Sequence, residues 1–179
     1  MSVDSASLLT LVWQELAAAV SLPAHPWRIP VLVTGGSQPD GRVVVLRRFQ
    51  RAPDRLTFFT DARSPKLRAI REDPRVAWVF YHPVLRLQVR VRGQATLQQG
   101  TPAVRAHWEA LSEIHRREYA AATAPGSPWS GAGFLEWAEA AAHFAVVETE
   151  AEEWDCLQLD RNEHSRFRFH GGLMERLVP

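Results

Sequence analysis

Between Arg28 and Gly93 the sequence is built from short runs rich in β-branched and aromatic residues, and this constrains the fold more than any other feature. The runs are Ile29 to Thr34, Arg42 to Phe49, Leu56 to Thr60, Val76 to Tyr81 and Leu85 to Arg92. Turn formers separate them at Gly35-Gly36 through Asp40-Gly41, at Ala52-Pro53-Asp54 and at His82-Pro83. Strands spaced like a meander predict a small antiparallel sheet that closes into a barrel. One short helix interrupts them. Ser64 suits its N-cap and Pro65 its first position, Leu67 and Ile70 supply the apolar stripe, and Asp73-Pro74 stops it.

Helical patterns flank the strands. Leu8, Leu9, Val12, Trp13, Leu16, Ala19 and Val20 recur at three and four, predicting an N-terminal helix within residues 1–22, with Ser5 or Ser7 as N-cap. Pro102 to about Ala122 reads as one long helix with Val104, Trp108, Leu111 and Ile114 or His115 on one face. A Pro/Gly/Ser loop from Pro125 to Gly133, with Trp129 as its anchor, leads to a short helix from Phe134 to Ala142. Strands return at Phe144 to Thr149, Trp154 to Leu159, Arg166 to Phe169 and Leu173 to Val178. The expected fold is α+β and mainly β: an antiparallel barrel of residues 28–99 and 143–179, a helical insertion at 102–142, and flanking helices. With 179 residues, 46% of them hydrophobic, the chain is expected to form one domain over 1–179.

Charge and composition exclude several function classes. Twenty-one basic residues balance twenty acidic ones for a net charge of +1, so there is no global positive field for nucleic acid. A single cysteine, Cys156, allows no disulfide framework and points to a reducing compartment, the cytoplasm. No run approaches the ~18 apolar residues of a membrane span, and acidic Asp4 stands where a signal peptide would be basic. The seven histidines are scattered with no metal-ligand spacing, so no metal site is expected. Cys156 reads as core.

The strongest local chemistry lies at Thr60 to Lys66. A strand ends at Thr60, a tight loop follows, and a helix opens at Ser64-Pro65 with the sole lysine, Lys66, in its first turn. Hydroxyls, free amides, a helix dipole and a cation together suit a phosphate monoester. Arg42, Arg47 and Arg48 surround an apolar strand centre, which suits a phosphorylated flat ligand. Arg86, Gln88, Arg90 and Arg92 fall on one face of an alternating strand, either paired with glutamates or lining a ligand cleft. The acidic run Glu148, Glu150, Glu152, Glu153 and Asp155 reads as a solvated strand end.

In order and spacing these pieces resemble the pyridoxamine 5′-phosphate oxidase-like group of FMN-binding split-barrel proteins, over nearly the whole chain. The resemblance is carried by Arg42-Val43-Val44-Val45-Leu46-Arg47, Phe58-Phe59-Thr60-Asp61, Ser64-Pro65-Lys66, Asp73-Pro74-Arg75-Val76-Ala77 and Gln88-Val89 with Gly93. Glu153-Trp154, His164-Ser165-Arg166-Phe167 and the closing Glu175-Arg176-Leu177-Val178-Pro179 complete it. It implies a split β-barrel with Greek-key-like connections and a homodimer with FMN at the interface. The implied cofactor-binding residues are Arg42, Val43, Val44, Val45, Arg47, Phe59, Thr60, Ser64, Lys66, Gln88, Trp154 and Arg166. Arg42, Ser64 and Lys66 would take the phosphate with Thr60 nearby, and the main chain of Val43 to Val45 and Gln88 would meet the ring system. Trp154 and Arg166 would close the site, in this family commonly from the other subunit.

The departures bear on activity. The oxidases hold the substrate phosphate with Tyr, Arg and Ser on the long helix, where this chain has His107, Leu111 and His115. Their Arg-x-His-x-Arg becomes Asn162-Glu163-His164-Ser165-Arg166, without the first arginine, and Arg47 replaces a strand lysine. The resemblance therefore implies an FMN-dependent oxidoreductase acting on an unknown small molecule. No catalytic side chain is named; His107, His115 and His164 are candidates for substrate contact. The alternatives are a split barrel that binds flavin or haem without turnover and, less favoured, a genuine pyridoxamine or pyridoxine 5′-phosphate oxidase.

Overall fold

The computed structural model of the chain describes residues 5–36, 38–129, 131, 133–160 and 163–179. Its strands are β1 Val31–Thr34, β2 Asp40–Val43, β3 Arg48–Gln50, β4 Arg55–Asp61, β5 Arg75–His82, β6 Leu87–Gln99, β7 Phe144–Gln158, β8 Ser165–His170 and β9 Leu173–Leu177. All pairings are antiparallel and run in the order β2-β1-β5-β6-β7-β4-β3, with β8 on β7 and β9 on β8.

Closure comes from the segment between β2 and β3, the two ends of that path. The sequence predicts one strand from Arg42 to Phe49, but residues 44–47 leave the ladder and cross from one edge to the other. The N–H groups of Val44 and Leu46 donate to the carbonyls of Pro30 (3.0 Å) and Arg28 (2.9 Å), and that of Arg47 donates to Thr57 (2.8 Å). Apolar alternation continues through the bend, with Val44 and Leu46 turned into the core. The N–H of Val45, between them, has no partner among the described residues.

Inward-facing Leu32, Phe58, Trp78, Phe80, Val89, Val91 and Cys156 fill the barrel. The amphipathic helix α1 (Ser5–Ser21) lays Leu8, Val12, Leu16 and Ala19 on the same core, and Ser5 and Ser7, the expected caps, both fall within the helix. Helix α2 (Pro65–Glu72) adds Leu67 and Ile70. A second apolar cluster forms on the other face of β4 and β7, from Val104, Trp108, Tyr119, Ala140, Phe144 and Val146. No helix among the described residues is long and apolar enough to cross a membrane.

The predicted long helix is two, α3 (Pro102–Glu109) and α4 (Glu113–Arg117), followed by α5 (Trp137–His143). Ser112 starts α4 as its N-cap, and Arg116 donates to the carbonyls of Trp108 (3.1 Å) and Glu109 (2.8 Å), ending α3. Ile114 is consequently exposed, as is Trp129, which does not anchor its loop.

The acidic stretch does not end a strand. β7 runs unbroken because its carboxylates meet arginines across the sheet, Glu148 and Glu150 with Arg55 (3.4 and 3.0 Å) and Glu153 with Arg92 (3.1 Å). β6 extends to Gln99, while Arg86 stands outside it in a turn at φ 48° and leaves the expected arginine face. A bulge at Glu152 sits opposite Gly93, where a Cβ would lie 2.0 Å from the Glu150 carbonyl oxygen.

Candidate functional site

Four of the expected residues converge where β1, β2, β4 and α2 meet. β4 alternates, so Phe58 and Thr60 face the barrel while Phe59 and Asp61 face the helical layer. Asp61 builds the next turn by accepting from the Arg63 N–H (2.8 Å) and guanidinium (2.7 Å). The same guanidinium donates to the carbonyls of Ala121 (2.7 Å) and Ala122 (3.1 Å), tying the turn to the helical layer. Ser64 then arrives as the buried N-cap of α2. Its hydroxyl does not cap the helix as the sequence suggests, but accepts from Lys66 Nζ (2.7 Å), which also donates to Thr60 Oγ1 (3.0 Å). Because both hydroxyls act as acceptors, their hydrogens stay free to donate to an anion.

Arg42 completes the cradle from β2. It pairs with Leu32 and shares the inward face of β1, donating to Thr34 Oγ1 (3.0 Å) and to Asp40. Burial, then the neighbouring Arg42 charge, lower the Lys66 pKa against the opposing pull of Asp61. Two partly buried cations held this close favour an anionic guest. Sequence reasoning missed Thr34 and Asp40; a polar threonine at an inward position of β1 was the available signal.

The other expected residues lie elsewhere. Arg47 and Phe59 face the helical layer, with Arg47 Nη2 3.3 Å from Glu118 Oε2 and 3.3 Å from the Tyr119 hydroxyl. The Arg47 guanidinium carbon lies 5.8 Å from the centre of the Phe59 ring, and His107 packs on that ring at 5.2 Å. Val43 is exposed on the outer face, and Val45 is half-buried. Gln88 pairs with Tyr81 near the end of β5, whereas Thr34 of the cradle pairs with Val76 near its start. The distance along the strand is ~17 Å at about 3.4 Å per residue.

Across β7, Asp155 accepts from Arg90 and from Arg166 (3.0 and 2.8 Å). Burial would raise the Asp155 pKa, but the hydrogen bonds from Arg166 and Arg90 outweigh it and hold the carboxyl below its usual range. Trp154 points inward, 5% exposed, its ring edge-on to Phe49 at 6.4 Å. His115 is bonded to the Ser112 hydroxyl, and Asn162 lies outside the described residues.

A second polar cluster joins α1 to the end of β5. Glu15 Oε2 lies 3.0 Å from His25 Nε2 and 3.4 Å from His82 Nε2, a set compact enough for a metal ion. However, each Nδ1 accepts a backbone N–H, His25 from Trp27 and His82 from Leu85 (both 3.1 Å). Each neutral ring therefore carries its proton on Nε2, directed at Glu15, and has no lone pair there for a metal. The donor pattern fits a clasp between elements.

The comparisons agree with this geometry. The family model described as pyridoxamine 5′-phosphate oxidase, FMN-binding domain, matches residues 13–99. A pyridoxine/pyridoxamine 5′-phosphate oxidase of Trichormus variabilis is 28% identical over 167 residues, 93% of this chain and 69% of that protein. The crystal structure of a pyridoxamine 5′-phosphate oxidase-related, FMN binding protein from Nostoc punctiforme superposes with a TM-score of 0.80 at 25% identity, covering 100% of both chains. PhzG from Burkholderia lata shares the fold at a TM-score of 0.74 and 19% identity, over 96% of this chain and 92% of its own. A barrel closed by a crossing strand, a lysine–arginine cradle at the mouth of α2 and these likenesses together make the chain similar to the pyridoxamine 5′-phosphate oxidase-like split-barrel proteins, whose fold it shares.

Proposed function

We propose that the chain is an FMN-dependent oxidoreductase acting on a small molecule, as a cytoplasmic homodimer with FMN at the subunit interface. The observation that carries the reading is the convergence of Arg42, Thr60, Ser64 and Lys66. The donor set fits a phosphate monoester: two cations offset its charge, and two hydroxyls have hydrogens to donate. The free N–H of Val45, with the main chain of Val43 and Val44, would meet the polar edge of the ring, and Gln88 would donate to it. Bound FMN would supply the two-electron redox chemistry. The chain's own residues would bind and orient it: Lys66 and Arg42 would hold the phosphate end, and the main chain of Val43 to Val45 would meet the ring. Trp154, Arg166, Arg47 and Phe59 complete the proposed set.

The outer face of the sheet supports a dimer. Val43, Val31 and Tyr81 are 64%, 37% and 50% exposed there, beside the charged group of Arg90, Asp155 and Arg166. Apolar area flanked by fixed charge suits a self-complementary interface. A pyridoxine-phosphate substrate is not part of the proposal, because Leu111 at the helical position offers no donor and packs on the second apolar cluster.

Titration of the purified protein with FMN, followed by quenching of flavin fluorescence, tests the cofactor. Lys66→Ala and Arg42→Ala should each weaken binding at least tenfold, about 1.4 kcal/mol. A wild-type protein that takes up no FMN would remove the oxidoreductase reading. A bound flavin that is reduced by NADH or NADPH yet passes electrons to no acceptor would make the chain a flavin carrier or sensor.

A further inference from the structure

We propose that the clasp of Glu15, His25 and His82 is proton-operated: it ties the end of α1 and the crossing segment 44–47 to the barrel while both imidazoles are neutral, and releases them on acidification. It works through hydrogen-bond polarity. His25 is the N-cap of a short 3-10 helix, Pro26–Arg28, and its Nδ1 accepts the Trp27 N–H (3.1 Å). His82 ends β5, and its Nδ1 accepts the Leu85 N–H (3.1 Å). Both Nε2–H groups are directed at Glu15 Oε2. The lone pair that could take a further proton is therefore, in each ring, the one already accepting a backbone N–H. Protonation turns that acceptor into a donor facing a donor.

Charge acts in the same direction. The His25 and His82 side chains are only 8% and 13% exposed, and their ring centres lie 5.7 Å apart. Glu15, the only ionisable residue of α1, offsets one imidazolium and not two, and among the described residues no other carboxylate pairs with either ring. Arg28 in the 3-10 helix and Arg86 in the turn after His82 add positive charge at this end, while Tyr81 lies on the opposite face of β5. The apolar edge of the Trp27 ring meets both imidazoles. The closed clasp thus binds fewer protons than the open one, and falling pH favours the open form.

The effect reaches the barrel because the capped turn ties three elements together. The Arg28 N–H donates to the His25 carbonyl (2.9 Å), and its guanidinium donates to the carbonyls of Ala19 (3.2 Å) and Val20 near the end of α1. The Arg28 carbonyl accepts the Leu46 N–H (2.9 Å), and that of Pro30 accepts the Val44 N–H (3.0 Å). A turn that loses its cap slackens the helix end on one side and the crossing segment on the other. That acid should also weaken FMN binding on this segment rests on the oxidoreductase reading; the opening itself does not.

The test is amide exchange of the flavin-free protein at about pH 8 and about pH 5.5, which span the range where imidazoles titrate, with each rate divided by that of unstructured chain at the same pH. Protection at Trp27, Leu85 and Leu46 should fall about tenfold at the lower pH, while Val91 in the middle of β6 keeps its own. His25→Asn combined with His82→Asn supplies side-chain carbonyls that accept the same N–H groups and cannot be protonated in this range, so the double variant should keep its protection at both pH values. Unchanged protection in wild type, a fall shared by Val91, or the same fall in the double variant overturns the inference. Ring nitrogen chemical shifts of the wild-type protein give a check that needs no variant: both imidazoles should be in the Nε2–H form at about pH 8, and an Nδ1–H form of either overturns it. FMN affinity is measured separately. A protein that opens in acid but takes up no FMN at either pH sinks the cofactor reading alone, and one that binds FMN without opening at Trp27 and Leu85 sinks this inference alone.

Discussion

Lys66 illustrates how one side chain can set a ligand's pH profile. Its ammonium is partly buried beside Arg42, so its pKa falls below the ordinary 10.5. In the free protein the unfolded chain binds the extra proton between the lowered value and 10.5, so stability rises with pH across that window. FMN binding has the opposite sign. Affinity is full while the ammonium is present and falls by up to about tenfold per pH unit as pH climbs through the lowered pKa. The affinity gap between wild type and Lys66→Ala, measured at successive pH values, should therefore close on the alkaline side, starting below 10.5. Cys156 is the contrasting case: burial, then the Asp155 charge, push its thiol up to about 12. At pH 8 the native protein should not react with a disulfide reagent, and the thiol should appear only when urea unfolds the chain. Both residues were legible in the sequence, one as the only lysine, placed just after a cap, and the other as an apolar strand position. Glu118 and Tyr119 were not, because they meet Arg47 only after the predicted helix breaks at Ser112.

At the scale of elements, the strands were legible where a run of β-branched and aromatic residues stood between turn or helix-stop signals, as in Leu56 to Thr60 and Val76 to Tyr81. Errors arose where long-range partners overrode local pattern. The glutamates of β7 look like a strand end until Arg55 and Arg92 are placed opposite them, and the run from Arg42 to Phe49 looks continuous because its apolar period survives the crossing. Gly93 was read as a family landmark, and the structure supplies its physical reason. A methyl group there would meet the Glu150 carbonyl at 2.0 Å, and neither backbone can yield without undoing the bulge. Gly93→Ala should cost about 3 kcal/mol, read as a lowered urea midpoint with an unchanged slope.

For the whole molecule, the division of labour is between a barrel that is nearly all ladder and a single place where it is not. Residues 44–47 hold the two sheet edges together with three main-chain hydrogen bonds, while neighbouring strands are stitched along their full length. That segment should be the seam along which the cylinder comes apart first, and it is also the surface proposed to receive the flavin ring. A guest anchored at Lys66 and resting on Val45 would span the seam like a splint. Loading and mechanical integrity then become one property: hydrogen exchange of the amides at Val44, Leu46 and Arg47 should slow at least tenfold on saturation with FMN, while amides in the middle of β6 change little. Uniform slowing across β6 and the seam alike would show that the barrel opens only as a whole. In the expected case, loss of the cofactor would turn a closed cylinder into a sheet with two free edges, and an FMN-starved protein would be prone to pair edge to edge with its neighbours.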